Sequence, residues 1–211
     1  MKNLELESQV FLSEPPFRVN KIHNHLYDYL SKEVPDMVEK RKIFLKSEEK
    51  RDKKAGIICE DSSTHICLNS LENYLTMPEN LLKNIIAHEY GHIIHLDKQK
   101  SANYEFEYFI SKLYNKTDSI NLMKLNRKKL IENLRKKITI SESFACWFGD
   151  EFTQYNNSEG LGTALKDKKV IPGLMVDTYQ VFKKFSKKYG RKKVVQGILH
   201  MEKVVLNLDE L

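Results

Sequence analysis

Cysteine is scarce in this sequence of 211 residues: Cys59, Cys67 and Cys146 are an odd number, lack metal-type spacing, and are too few for a disulfide scaffold. That excludes the small stapled secreted class and implies a reducing, cytoplasmic setting. Long apolar runs are missing too. No stretch approaches the roughly 20 apolar residues of a membrane span, so no membrane role is expected. The amino-terminal MKNLELESQVFLSEPPF mixes acids into apolar residues where a secretory signal needs an unbroken apolar core. With 8 glycines, 5 prolines, no repeat and no Gly/Ser-rich linker, nothing divides the chain, and residues 1–211 read as a single domain. Apolar residues at 41% against 30% charged exclude a disordered chain and suffice for a buried core.

The formal charge of +6 is unevenly placed. Arg127, Lys128, Lys129, Arg135, Lys136 and Lys137 crowd one stretch, and a second runs from Lys183 to Lys193. Such runs raise nucleic acid as a partner class. No nucleic-acid motif and no aromatic interleaving is read in them, so solvated helix faces are the preferred reading and nucleic acid is secondary.

Ile22, Leu26, Tyr29 and Leu30 recur at helical spacing before Pro35. Residues 41–46, 55–60 and 64–69 are short, isoleucine-rich and separated by charged or Asp-Ser-Ser material, which predicts a small antiparallel sheet. From Thr76 the pattern turns helical. Thr76 with Glu79 suits a capping box, and Leu82, Ile85, Ile86, Tyr90 and Ile93 supply the apolar stripe. Helices are expected near 102–115, 119–137 and 141–155, then a Gly-containing loop, then helices near 174–188 and 191–206. A sheet followed by helices is an α+β chain.

The chemistry lies in His88-Glu89-Tyr90-Gly91-His92. Four residues make slightly more than one helical turn, so the two imidazoles leave the same face and can share one tetrahedral Zn²⁺. Glu89 lies about 100 degrees round from His88, placed to reach a water at the ion and act as the catalytic base. A catalytic zinc needs a third protein ligand. His95 lies about 10 Å along the axis from His88 and cannot close the tetrahedron. A glycine and a distant histidine in metzincin spacing are absent, since those places hold His95 and Lys98. His23, His25, His65 and His200 show no ligand context, which leaves a carboxylate. Glu142 is favoured over Glu105 because Ala145, one turn on, is small enough to let its helix pack against the HExxH helix, whereas Glu105 has Tyr108 at that place. Against this, Thr139 with Glu142 also fits a capping box, in which the carboxylate would serve backbone amides instead.

HExxH on one helix with a glutamate on a later one resembles the gluzincins. Glu142-x-x-Ala145-x-x-Phe148, with Gly91 in HExGH, looks like ImmA/IrrE-type peptidases and the minimal gluzincin domains related to CAAX-processing peptidases. The resemblance covers roughly residues 55–155. It implies a zincin-like fold, with a core at about 40–155 and a helical segment at about 156–211, and a metal set of His88, His92 and Glu142. It further implies a polypeptide substrate hydrolysed with Glu89 as general base. Those families place Asp or Asn four residues after the glutamate, behind a histidine, where this chain has Cys146. In zincins a strand before the metal helix offers an edge to extended substrate, a role the reading assigns to 64–69, with Ile66 and Leu68 towards the core and His65, Cys67 and Asn69 towards the cleft. Tyr179 and His200 are available oxyanion donors without a context that selects them. Two other classes stay open: a binding or regulatory protein with a structural zinc on the same scaffold, and a zinc amidase.

Overall fold

The computed structural model describes residues 12–46, 55–60, 63–69, 74–102 and 123–207. Among these, strand β1 (Leu12–Ser13) precedes helix α1 (Phe17–Glu33), which is followed by β2 (Ile43–Lys46), β3 (Ala55–Glu60) and β4 (Ser63–Asn69). Five helices follow: α2 (Glu79–Ala102), α3 (Met123–Thr153), α4 (Ser158–Lys166), α5 (Pro172–Tyr189) and α6 (Arg191–Asn207). The chain is α+β. None of the described helices is long and apolar enough to cross a membrane.

The sheet is mixed, which corrects the antiparallel expectation. Its order is β1-β2-β4-β3. β4 pairs antiparallel with β3, Ala55 opposite Leu68, and parallel with β2, Ile43 opposite Ile66. β1 pairs antiparallel with β2. Short isoleucine-rich segments set apart by turn material suggested antiparallel neighbours, but burial decides the order. Thr64 through Asn69 are buried on both faces of β4, and a strand covered on both faces belongs inside a sheet.

α1 buries Val19, Ile22, Leu26 and Leu30 on one face and ends before Pro35. From it, Arg18 donates to the carbonyl oxygens of Tyr74 and Met77, the latter at 2.6 Å, tying down the turn that leads into α2. That helix starts later than a capping box on Thr76 requires. Its first turn closes from Leu82 N–H to Pro78 O at 3.0 Å, and Glu79 pairs with Lys83 at 2.6 Å instead of reaching back. Pro78 is the reason, because the residue before a proline is pushed out of helical conformation.

The expected helices at 119–137 and 141–155 are one helix of 31 residues, α3. Thr139 is no cap: its hydroxyl donates to Arg135 O at 2.7 Å within the helix and accepts from Ile171 N–H at 2.9 Å. The expected helix near 102–115 lies outside the described residues beyond Ala102. The expected Gly-containing loop holds α4, started by Asn157, whose side chain accepts from Gly160 N–H at 2.9 Å; two glycines hid its helical pattern.

The core is aromatic and centred on α3. Phe144, Trp147, Phe148 and Phe152 stack on one another and on Phe182 of α5, with Phe144 to Phe182 at 5.6 Å between ring centroids. α2 packs over the same helix.

Candidate metal centre

α2 and α3 meet backbone to backbone. A Cβ on Gly91 would lie 2.8 Å from Ala145 Cα and 3.2 Å from Phe148 Cβ, so only glycine permits this approach. His88 stands three residues before Gly91 and His92 one after; Glu142 stands three before Ala145. The contact therefore lays the glutamate against the pair of imidazoles. A second clamp sits one turn before His88. There Asn84 donates to Asp150 Oδ1 at 3.0 Å and accepts from Asn157 Nδ2 at 2.9 Å, which fixes the rotation of α2 on α3.

His88 Nε2 and His92 Nε2 are 3.1 Å apart, with their rings at 80°. Glu142 Oε2 is 3.6 Å from the first nitrogen, and Oε1 is 3.5 Å from the second. A tetrahedral zinc with bonds of about 2.0–2.1 Å needs donor separations of about 3.3–3.4 Å. Two nitrogens and one carboxylate at these spacings are the donor set and size that zinc takes. Among the described residues no other group of three His, Cys, Asp or Glu side chains converges in this way. The three side chains keep 22%, 15% and 29% of their surface, so water reaches the open side of the group.

The electrostatics favour a cation at the shared point. Burial opposes a charge on His88, but Cys146, the Glu142 carboxylate and nearby Glu89 outweigh it and hold its pKa well above the usual range. Burial likewise opposes charge on Glu142, yet His92 and His88 bring its pKa far below that of an ordinary carboxyl. The negative charge gathered there lets His88 hold a proton, and a metal ion at the same point would have to displace it, because only the neutral imidazole is a ligand.

Each imidazole is supported from α3. His92 Nδ1 is 3.0 Å from Ser141 Oγ; in the tautomer that donates from Nδ1, Nε2 turns its lone pair to the shared point. Cys146, buried, is within hydrogen-bonding reach of His88. The place where a carboxylate or amide was expected is thus filled by a thiol whose influence falls on His88. Sequence reasoning missed Ser141, although its position immediately before Glu142 on the same helix was a usable signal.

The other expected residues fall in distinct places. Glu89 is buried beside the group and is not one of its converging donors. Glu105 lies outside the described residues. His95 is buried against α6, with Nε2 3.0 Å from Glu202 Oε2. His23 Nε2 meets the Tyr90 hydroxyl at 2.8 Å, and His25 and His200 are exposed. Tyr179 is committed elsewhere: its hydroxyl donates to Asp150 Oδ2 at 2.7 Å, and burial together with that carboxylate raises its pKa. β4 is interior and offers no edge; His65, Cys67 and Asn69 are buried, and the outer strand next to it is β3.

No protein family, curated protein or solved structure matches the chain. The chemistry available here rests on the donor atoms themselves.

Proposed function

We propose that the chain is a zinc-dependent peptidase of zincin-like design, with His88, His92 and Glu142 holding the ion and Glu89 acting as general base. The observation that carries this reading is the separation of roles between neighbours on one helical turn. Two imidazoles and a carboxylate from a second helix converge at 3.1–3.6 Å, while Glu89 stands beside them outside the donor set. Zn²⁺ bound there supplies Lewis acidity and a nucleophilic water near neutral pH.

The remaining work falls to the chain. The Glu89 carboxylate takes the proton of the water as its oxygen adds to the substrate carbonyl carbon. It then delivers that proton to the amide nitrogen as the C–N bond breaks, leaving a carboxylic acid and an amine. Ser141 and Cys146 keep the two rings oriented. An extended polypeptide adds to the outer edge of β3, because β4 is paired on both sides.

The test is metal analysis followed by digestion of an unfolded protein, comparing the wild type with Glu89→Gln and Glu142→Ala. Zinc in both wild type and Glu89→Gln, with cleavage by the wild type alone, supports the reading. Glu142→Ala loses zinc, whereas Glu105→Ala retains it. Metal without turnover of any polypeptide would instead indicate a binding protein with a structural ion, and turnover confined to small acylated amides would indicate an amidase.

A further inference from the structure

The two basic runs have different structural fates. In the first, Arg135 donates to Val170 O at 3.2 Å and Lys136 lies 3.8 Å from Glu132, so these two have partners within the fold. The second, residues 183–193, holds six lysines and one arginine and no acid. Arg191 is committed to Glu33. None of the six lysines has a carboxylate partner among the described residues.

Aromatic rings do stand within this run, contrary to the sequence reading. Phe182 turns into the core, but Phe185 and Tyr189, one turn apart on α5, are 43% and 51% exposed. Their ring centroids lie 5.4 Å apart. With Lys193 and Val194 of α6 they line an open cavity of about 260 Å³. Lys188 sits 4.9 Å from the Tyr189 ring. The cavity is below the roughly 300–1,000 Å³ that whole small-molecule ligands occupy, so it suits one planar group of a longer partner.

From this juxtaposition we infer that the α5–α6 end binds single-stranded nucleic acid, with Phe185 and Tyr189 as stacking faces for unpaired bases and the surrounding lysines as phosphate contacts. Cations without carboxylate partners call for a polyanion, and exposed rings call for flat apolar faces; a single strand presents both along one chain. A duplex hides its base faces in its own stack. An anionic bilayer needs a broad apolar helix face, and the apolar face of α5, with Met175, Tyr179 and Phe182, is already buried. None of these residues belongs to the ligand set on α2 and α3, so the inference stands apart from the peptidase reading.

The experiment is fluorescence anisotropy of a labelled oligothymidylate of roughly 20 nucleotides, long enough for one or two binding sites, titrated with the full chain over a salt series. Binding that weakens with salt is expected, with the double variant Phe185→Ala/Tyr189→Ala about five- to hundredfold weaker and its salt slope unchanged. Phe185→Trp/Tyr189→Trp restores the affinity, which separates stacking from misfolding. Lys192→Gln/Lys193→Gln makes the slope shallower. Any of four results overturns the inference: no binding at low salt, equal binding to duplex, affinity indifferent to the two rings, or preferential binding of polyglutamate or phosphatidylserine vesicles.

Discussion

Gly91→Ala sets two opposing effects against each other at the contact that assembles the site. In a helix interior alanine is favoured over glycine by about 1 kcal/mol, so a Gly91 facing open space would gain stability on substitution. Here the new Cβ would meet Ala145 Cα at 2.8 Å, Phe148 Cβ at 3.2 Å and Ala145 Cβ at 3.4 Å. Carbon atoms in contact prefer about 3.5–4.0 Å, so α2 and α3 must part by about 1 Å at a buried crossing. Overpacking of this kind typically costs about 1–3 kcal/mol; set against the propensity gain, the net expectation is a loss of about 1 kcal/mol. The metal consequence is larger. Glu142 rides on the same rigid helix one turn away, and its separations from the imidazoles, now 3.5 and 3.6 Å and so already slightly wider than the about 3.3–3.4 Å of a tetrahedral zinc, widen further. Zinc affinity should fall roughly ten- to hundredfold, as when the support of a ligand is lost. Denaturant unfolding of the metal-free protein reads the first quantity, and competition with a chromogenic zinc chelator the second. Adding Ala145→Gly should restore little, because the closest clash is with the Ala145 backbone. A variant more stable by about 1 kcal/mol with unchanged zinc affinity would refute the helix contact and the placement of Glu142 with it.

Ser141→Ala removes the group behind His92 Nδ1 and should weaken zinc roughly ten- to hundredfold with the unfolding midpoint of the metal-free protein little changed; the chelator assay checks both. His95→Gln should leave zinc content intact, since His95 pairs with Glu202 and not with the ligand set, while costing about 1–3 kcal/mol in unfolding experiments. Stability should also fall in mild acid because of His23. Burial, with Lys40 nearby, pushes its pKa down from 6.5 to about 4, so the unfolded chain takes up a proton between these values that the native one refuses. The contribution is therefore complete above pH 6.5 and lost as pH falls towards 4, on the order of 3 kcal/mol in all. Metal-free unfolding measured across that range should slope less in His23→Gln, and equal slopes would count against a neutral buried His23.

Local periodicity carried much of the fold. The α+β class, the positions of β2, β3, β4, α1 and the two last helices, and the shared face of His88 and His92 all follow from spacings of two to four residues, which the backbone geometry enforces wherever the chain lies. Ala145 was also readable, because a small residue one turn from an acid marks where a helix can be approached closely. Boundaries that hinge on one residue were less legible: Thr139 imitates a cap because hydroxyl and acid at that spacing serve equally in mid-helix, and only the buried acceptor Arg135 O and the donor Ile171 N–H reveal which use applies.

Tertiary structure decided the rest, since it turns on atoms far apart in the chain. Roughly fifty residues separate His92 from Glu142, and what joins them is the Gly91–Ala145 approach together with the Asn84 clamp. The parallel pairing of β2 with β4, the support of His92 by Ser141 and of His88 by Cys146, and the outward turn of Phe185 and Tyr189 amid lysines belong to the same class. A helix dictates which of its own side chains share a face; which of those faces is covered, and by what, is set by packing across the whole chain.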